Sequence, residues 1–166
     1  MANFLTNYCK MTTWNKVRNK LYYTNDDYIR DVIAFHMQDN AWDIIHNYIS
    51  HDSLFSTEED KENWHISKGS IITIFFNELS LIRWYLNRKD LLEMDIDARF
   101  VVDECIHNHI CSFFSNLSSL LDTDIYILDN VIKTPSLIIM EFTPNKPPRL
   151  LEDTKYINLQ ESNNEF

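Results

Sequence analysis

The sequence predicts an α+β fold that is predominantly helical, with four or five helices covering a small antiparallel sheet in the C-terminal third. Three observations support this class. Apolar residues recur at helical spacing through most of the first 121 residues, short β-branched runs follow them, and the chain contains a single glycine, Gly69. An all-α bundle is the alternative if the C-terminal runs prove to be extended loops.

Four helices are predicted before residue 93, because apolar side chains there recur three or four positions apart. Ser56 and Glu59 form a capping-box pattern, which predicts one further helical turn through Trp64. The four helices are a short basic helix through Trp14, Val17 and Leu21, one over 24–37, one through Trp42, Ile45 and Ile49, and a buried one over 71–86 that continues to Leu92.

The clearest helix is predicted over 98–121, with Asp97 as its cap. Its apolar face keeps helical period for about six turns and includes Val102, His109 and Phe113. The long helix is therefore expected to bury that face against the core.

After Leu121 the sequence changes to short apolar runs that predict strands over 125–128, 131–132 and 137–142. The proline-rich stretch 144–148 is expected to close the domain, because consecutive prolines cannot extend a ladder. We therefore predict one globular domain over 1–150 and a polar, mobile tail over 151–166.

The chain carries a net charge of −10, and this charge is concentrated after residue 90. Residues 1–90 have 10 basic and 12 acidic side chains, whereas residues 91–166 have 5 basic and 13 acidic. Such acidity disfavours nucleic acids and anionic membranes and favours a basic protein partner. The scarcity of glycine argues against phosphate-binding loops and dinucleotide sites, so no cofactor is expected. Three cysteines without framework spacing indicate a reducing, cytoplasmic location.

One cysteine and histidine pattern raises the question of a metal. Cys105, His107, His109 and Cys111 alternate along the predicted long helix. Alternate residues of a helix diverge, so only the pairs four residues apart can converge on one ion. Such a pair needs further ligands from elsewhere in the chain, and no other Cys/His pair is present to supply them. We expect Cys105 and His109 on the apolar stripe and the other two beside it, and we predict no metal site.

A second metal pattern pairs Glu62 with His65 and Glu104 with His107, each three residues apart. Carboxylate-bridged di-iron bundles use two such pairs together with glutamates from other helices. Glu62 and His65 lie in a short polar turn, and no first-helix glutamate is evident. The sequence leaves metal binding by either pattern open.

Arg30 and His36 are six residues apart in a predicted helix. This spacing resembles the arginine and histidine signature of HEPN-type ribonucleases, which are all-helical. The resemblance implies that Arg30 positions a phosphate and that His36 acts on the 2′-hydroxyl proton. It covers seven residues near the start of the chain, whereas the signature of that family normally lies late in the domain. A surface arginine and a half-buried core histidine explain the same letters.

The profile as a whole predicts a protein-binding inhibitor of the acidic immunity or antitoxin type. Such a protein would neutralise a basic toxin domain, for example a nuclease, by direct binding and without catalysis. The carboxylates around the long helix are the expected determinants. These residues are Asp95, Asp97, Asp103, Glu104, Asp122, Asp124 and Asp129.

A second reading from the same broad class is a viral host-interaction protein of the Bcl-2-like helical type. Its hydrophobic groove would form around the predicted helix 71–86. The predicted strands count against it.

Overall fold

The computed structural model describes residues 14–23, 28–57, 68–129 and 135–157, apart from the side chains of residues 153 and 154. Within this part of the chain there are three α-helices and eight β-strands, together with a π-helical turn at Arg18–Tyr22 and a 3-10 turn at Ala98–Phe100. In chain order they are α1 Trp14–Val17, β1 Ile29–Phe35, α2 Ala41–His51, β2 Phe55–Thr57, β3 Ile71–Phe76, β4 Leu79–Tyr85, β5 Leu91–Asp97, α3 Glu104–Leu121, β6 Ile125–Leu128, β7 Ser136–Phe142 and β8 Arg149–Ile157.

The eight strands form one antiparallel sheet in the order β2-β3-β4-β5-β1-β6-β7-β8. The prediction of a predominantly helical chain, with a small sheet confined to the C-terminal third, is therefore wrong, and so is the all-α alternative. More of the described residues lie in strands than in helices, and the sheet begins at Ile29. The fold is a large sheet with helices packed on it.

Two strand regions account for most of this error. β1 was predicted to be part of a helix because it is buried on both faces and shows no alternation: Val32 and Ala34 lie in the main core, while Ile33 lies in a smaller cluster with Leu128 and Ile138. The segment 71–86 is the β3–β4 hairpin, in which the residues alternate between buried and partly exposed along β3. A dense apolar run does not by itself separate a buried helix from two buried strands.

The turn of this hairpin forms without glycine. Asn77 and Glu78 both have positive φ angles, 47° and 67°, which is the conformation that a two-residue turn of this hand requires. Asparagine tolerates the left-handed region well, whereas glutamate adopts it at some cost. The scarcity of glycine therefore did not exclude a tight hairpin.

The helices α2 and α3 pack on one face of the sheet and share its main core. α3 crosses the sheet, because Phe113 packs on Phe55 of β2 with ring centroids 4.8 Å apart, and Phe114 packs on Phe142 of β7 at 5.6 Å. The predicted helix through Trp42, Ile45 and Ile49 is confirmed as α2, and these three residues are buried. The long helix is also confirmed, although it begins at Glu104 and its cap is Asp103 rather than Asp97. Ser56 lies in β2 rather than at a helix start, and Glu59 lies outside the described residues.

The N-terminal segment is helical, as predicted, and its second half is a π-helical turn closed by a bond from Tyr23 N to Arg18 O of 2.8 Å. It buries Val17, Leu21 and Tyr22 in the main core. We refer to residues 14–23 as the N-terminal arm.

The C-terminal strands over 125–128 and 137–142 are confirmed. Residues 131–132 lie outside the described residues. The proline-rich stretch connects β7 to β8, so it does not end the sheet, and residues 151–157 of the predicted tail belong to β8. Residues 151–154 bulge opposite the single residue Ile139, because the register shifts by three residues there.

Candidate protein-binding site

The seven carboxylates predicted to bind a partner fall into separate places. Asp95 is 4% exposed on β5, where Arg83 donates two hydrogen bonds to it, at 2.8 and 2.6 Å, and the Tyr85 hydroxyl donates a third. The side-chain hydrogen bond to Asp95 raises the pKa of Arg83, and burial, followed by the bond to Asp95, raises the pKa of Tyr85 to about 12. We call these three residues the Asp95 cluster. The carboxylate of Asp95 is fully engaged inside the molecule.

Three of the acids gather where β5 leads into α3. Asp97 accepts a hydrogen bond from Arg99 N and forms a two-bond ion pair with the guanidinium of the same residue, at 2.9 and 2.6 Å. That side-chain bond lowers the pKa of Asp97. Asp103 caps α3 by accepting from Ile106 N at 2.9 Å, and Glu104 stands exposed in the first turn. The helix start favours both charges.

Asp122 and Asp124 lie beyond the far end of α3, which as an 18-residue helix is about 27 Å long, so they are separated from the first group by that distance. Asp129 follows β6 at the same end of the sheet as Asp97, but it lies two strands away, about 10 Å in the hydrogen-bonding direction. Asp122 adopts the left-handed conformation as the C-cap of α3, Asp124 accepts from the Tyr126 hydroxyl, and Asp129 accepts from Leu137 N. The structure therefore does not bring the seven predicted residues into one patch.

Beside the first group of acids lies a cavity of about 500 Å³ with tyrosine walls. Tyr23, Tyr28 and Val102 are 56%, 62% and 61% exposed, and they are three of only seven large apolar side chains that are exposed in the described part of the chain. We call this site the tyrosine cavity. Its lining residues are Tyr22, Tyr23, Tyr28, Ala98, Arg99, Val101 and Val102.

Three elements hold the tyrosine cavity in shape. The π-helical turn ends at Tyr22 and fixes Tyr23 through its bond to Arg18 O. Tyr28, just before β1, accepts a hydrogen bond from Ala98 N at 2.7 Å through its carbonyl oxygen. The 3-10 turn after β5 then carries the chain past Val101 into α3. The Tyr28 side of the site is therefore tied to the sheet, whereas the backbone of Tyr23 is bonded within the N-terminal arm.

Two arginines flank the exposed tyrosines. The guanidinium carbon of Arg18 lies 4.3 Å from the ring centroid of Tyr23, and that of Arg99 lies 5.8 Å from the ring centroid of Tyr28. The ion pair with Asp97 raises the pKa of Arg99 and balances its charge. The walls thus combine apolar area, phenol hydroxyls and one paired guanidinium, a composition typical of protein interfaces.

Beneath the cavity, Tyr22 connects to a buried histidine. Its hydroxyl and His107 Nδ1 are 2.8 Å apart, and His107 Nε2 is 3.4 Å from Cys111 Sγ. Both His107 and Cys111 are buried, whereas Cys105 is exposed, so the predicted assignment of these residues to the apolar stripe is reversed.

These cysteines and histidines form two separate pairs on α3. Cys105 lies near His109, with its sulfur 3.8 Å from Nδ1, and Cys111 lies near His107. Among the described residues, no group of three or more His, Cys, Asp or Glu side chains converges as a metal site would require. Glu62 and His65, which the di-iron pattern needs, lie outside the described residues.

Arg30 and His36 are separated in the structure. Arg30 is buried in β1, where its Nε donates to Leu21 O at 2.5 Å and its NH1 donates to Ile29 O at 2.8 Å. His36 follows the strand, exposed and with φ of 55°. Six residues of extended chain span about 20 Å, so these two side chains do not converge on one phosphate.

A second cavity of about 520 Å³ lies at the start of α2, and six of its eight lining residues are charged. Trp42 is its large apolar residue, and Lys89 already lies 5.7 Å from the centroid of that ring. Apart from Asn87, the other lining residues are three acids and three bases, so neither sign of charge dominates the cavity. These residues are Asp39, Asp43, Asp90, Lys68, Arg88 and Lys89. It is therefore less suited to anchor a partner than the tyrosine cavity.

No protein-family model, curated protein or solved structure matches this chain. Within the described ranges, no helix has the length and apolar character needed to cross a membrane.

The sequence predicted Asp97, Asp103 and Glu104 as partner-binding residues but did not indicate the side chains that line the tyrosine cavity. Val102 was assigned to the buried face of the long helix, whereas it precedes the cap and is exposed. The tyrosines carried one usable signal: Tyr23 and Tyr28 flank a predicted helix cap, where exposure is common. That signal was too general to single them out.

Proposed function

We propose that this chain is a non-catalytic binding protein of the immunity or antitoxin type, which neutralises a basic toxin domain in the cytoplasm by direct contact. The observation that carries the proposal is the tyrosine cavity. Three of the seven exposed large apolar side chains of the described chain line this one depression. Exposed apolar area that is gathered in one place marks interaction sites, whereas scattered exposure is ordinary.

The side chains of the cavity are suited to anchoring a protein partner. Tyrosine and arginine dominate the binding energy of interfaces because they bury large areas and keep a polar group for hydrogen bonding. Tyr28 and Val102 supply the apolar contact, and Arg99 supplies a guanidinium held in place by Asp97. A partner would insert an aromatic or aliphatic side chain between them.

The charge of the chain selects the kind of partner. The acids Asp103 and Glu104 follow directly after Val102, and the whole chain carries a net charge of −10. A basic partner would therefore be attracted over a long range, and its association rate would fall with salt. This chain would inhibit the partner if the surface that it covers includes the partner's active site.

The first test compares two pairs of matched variants. The wild-type chain is used to capture basic proteins at low salt, and the affinity of each purified protein is then measured by calorimetry.

Tyr28→Ala is expected to weaken binding about thirtyfold, as for a central interface tyrosine. Tyr156→Ala is its control, since Tyr156 is 57% exposed on β8. Val102→Ser is paired in the same way with Ile71→Ser, at 59% exposure on β3.

The second test concerns charge. Glu104→Lys is expected to slow association about tenfold at low salt and to have little effect at high salt. Asp43→Lys is the matched control, because Asp43 is likewise the exposed first-turn acid of a helix, in α2. Stopped-flow association rates give the comparison.

Two results would contradict the proposal. One is a wild-type chain that retains no basic protein at low salt. The other is a captured protein that binds the Tyr28 and Tyr156 variants with equal affinity, because its contact would then lie elsewhere.

A further inference from the structure

The N-terminal arm provides two of the walls of the tyrosine cavity, Tyr22 and Tyr23. We propose that the arm is releasable: it detaches while the sheet, α2 and α3 stay folded, and its detachment dismantles the cavity. This inference rests on the proposed function in one respect only, namely that the cavity binds the partner. Release of the arm would then regulate that site.

The arm is held mainly by tertiary contacts, because it is too short to be stable as an isolated helix. Its helical part is four residues of α1 followed by a five-residue π-helical turn. Isolated helices of this length are not stable in water. Val17, Leu21 and Tyr22 are its buried residues. Segments with so few buried groups open at lower free energy than the core.

The π-helical turn is itself an uncommon conformation that is found most often at functional sites. Here it determines where two neighbouring tyrosines point. Tyr22 turns inward and reaches His107, whereas Tyr23 remains exposed at the cavity. The π-helical turn and the docking of Tyr22 therefore occur together in this structure.

The polar contacts that the structure describes for the arm differ in strength. Tyr22 and His107 share the buried contact described above, and the carbonyl of Leu21 accepts from Arg30. Lys16 pairs with Glu152, and Lys20 donates to Leu151 O, both in the bulge of β8. The Lys16 and Glu152 side chains are 51% and 69% exposed, so this pair contributes little. The contacts at His107 and at Arg30 are therefore the main buried polar restraints.

Cys111 lies one helical turn from His107, which the arm covers, and it is expected to report on release of the arm. It is buried beside His107, which the arm covers with Tyr22 and with Trp14 at a ring-centroid distance of 5.7 Å. While the arm is docked, a thiol reagent in solution is kept away from the sulfur. When the arm detaches, the sulfur becomes accessible.

The test measures alkylation of Cys111 by N-ethylmaleimide in the full chain, followed by mass spectrometry. Cys9→Ser and Cys105→Ser leave Cys111 as the single thiol, since the chain has three cysteines. Tyr22→Phe removes the hydroxyl at His107 and is expected to accelerate labelling about tenfold. Tyr48→Phe is the matched control, because the Tyr48 hydroxyl accepts a hydrogen bond from Asn116, also on α3 but away from the arm.

The two variants separate release of the arm from global unfolding. If Cys111 is exposed only by global unfolding, both substitutions accelerate labelling in proportion to their loss of stability in urea, and the proposal is overturned. If the arm is releasable, Tyr48→Phe changes the labelling rate by less than about twofold although it costs stability. Glu152→Gln should accelerate labelling by no more than about twofold.

The link to the cavity has its own readout. A partner captured by the wild-type chain, added at saturation, is expected to slow the labelling of Cys111 because it binds only the docked form. Unchanged labelling in its presence would overturn the link between arm and cavity. If no partner is captured, the proposed function fails, while the comparison of Tyr22→Phe with Tyr48→Phe still decides whether the arm is releasable.

Discussion

Two aspartates of β5, only two residues apart and on the same face of the strand, have opposite roles. Asp95 is buried and fully bonded to Arg83 and Tyr85, in the interior of a closed polar cluster. Asp97 ends the strand with its side chain 14% exposed, and it accepts two hydrogen bonds from the guanidinium of Arg99, which lines the tyrosine cavity. β5 thus contributes Asp95 to the buried Asp95 cluster and, two residues later, Asp97 to the positioning of a wall residue of the tyrosine cavity.

The difference shows that the number of carboxylates in a sequence does not reveal which of them are available. A charge inside a low-dielectric cluster is tightly held, and its removal leaves partners unsatisfied. A charge at a helix or strand end is partly hydrated and can exchange partners. We therefore expect the Asp95 cluster to govern stability and the tyrosine cavity to govern binding.

The largest effect on stability is expected for Asp95→Ala. It leaves the Tyr85 hydroxyl and the Arg83 guanidinium without their acceptor, at a cost of about 2–3 kcal/mol in the free energy of unfolding. The value lies at the low end for a buried pair, because Arg83 is partly exposed and can regain water. Urea denaturation gives the measurement. Asp43→Ala, at an exposed position, should change stability by less than about 0.5 kcal/mol, and an equal loss in both variants would contradict the role of the cluster.

A smaller effect, with a distinct pH dependence, is expected for Tyr85→Phe. At neutral pH the loss of one hydrogen bond to a carboxylate costs about 1–2 kcal/mol. The pKa values of Tyr48, Tyr85 and Tyr126 are raised to about 12, mainly by burial. Above pH 10 the unfolded chain loses these protons first, so stability falls between pH 10 and 12. Urea titrations in that range should show a smaller loss of unfolding free energy per pH unit in the variant, because it lacks one of the three tyrosine hydroxyls. An equal pH dependence in the variant and the wild type would contradict the raised pKa of Tyr85.

The smallest effect on stability is expected at the cavity. Tyr28→Ala and Val102→Ser remove exposed side chains and should each change the free energy of unfolding by less than about 0.5 kcal/mol. Thermal and urea denaturation of the two variants give the check. Losses comparable to that of Asp95→Ala would mean that these side chains are structural, and the contrast between the two regions would fail.

The sequence allowed several elements to be predicted, and the error at β1 has a clear physical cause. α2 was predicted from its apolar spacing, and α3 from six turns of regular pattern, because each buries one face and leaves the other in water. β6 and β7 were predicted from short β-branched runs. β1 was missed because it is buried on both faces, and such a strand shows no alternation in its sequence.

The candidate site could be predicted only in part. Asp97, Asp103 and Glu104 lie at a helix start, where the preference for acids is local and visible in the sequence. The cavity depends on bringing residues 22, 28 and 102 together, and this follows from the sheet order rather than from any local pattern. The π-helical turn that orients Tyr22 and Tyr23 has no recognisable sequence signal either.

The bulge of β8 has a consequence for how the chain behaves at high concentration. Four residues of β8 stand opposite one residue of β7, and Lys20 donates to a carbonyl within this stretch. A strand interrupted in this way offers no straight row of backbone groups on which another chain could nucleate a fibril. At the opposite end of the described sheet, β2 is only three residues long. We therefore expect open-ended polymerisation to be disfavoured at the β8 edge of this isoleucine-rich sheet.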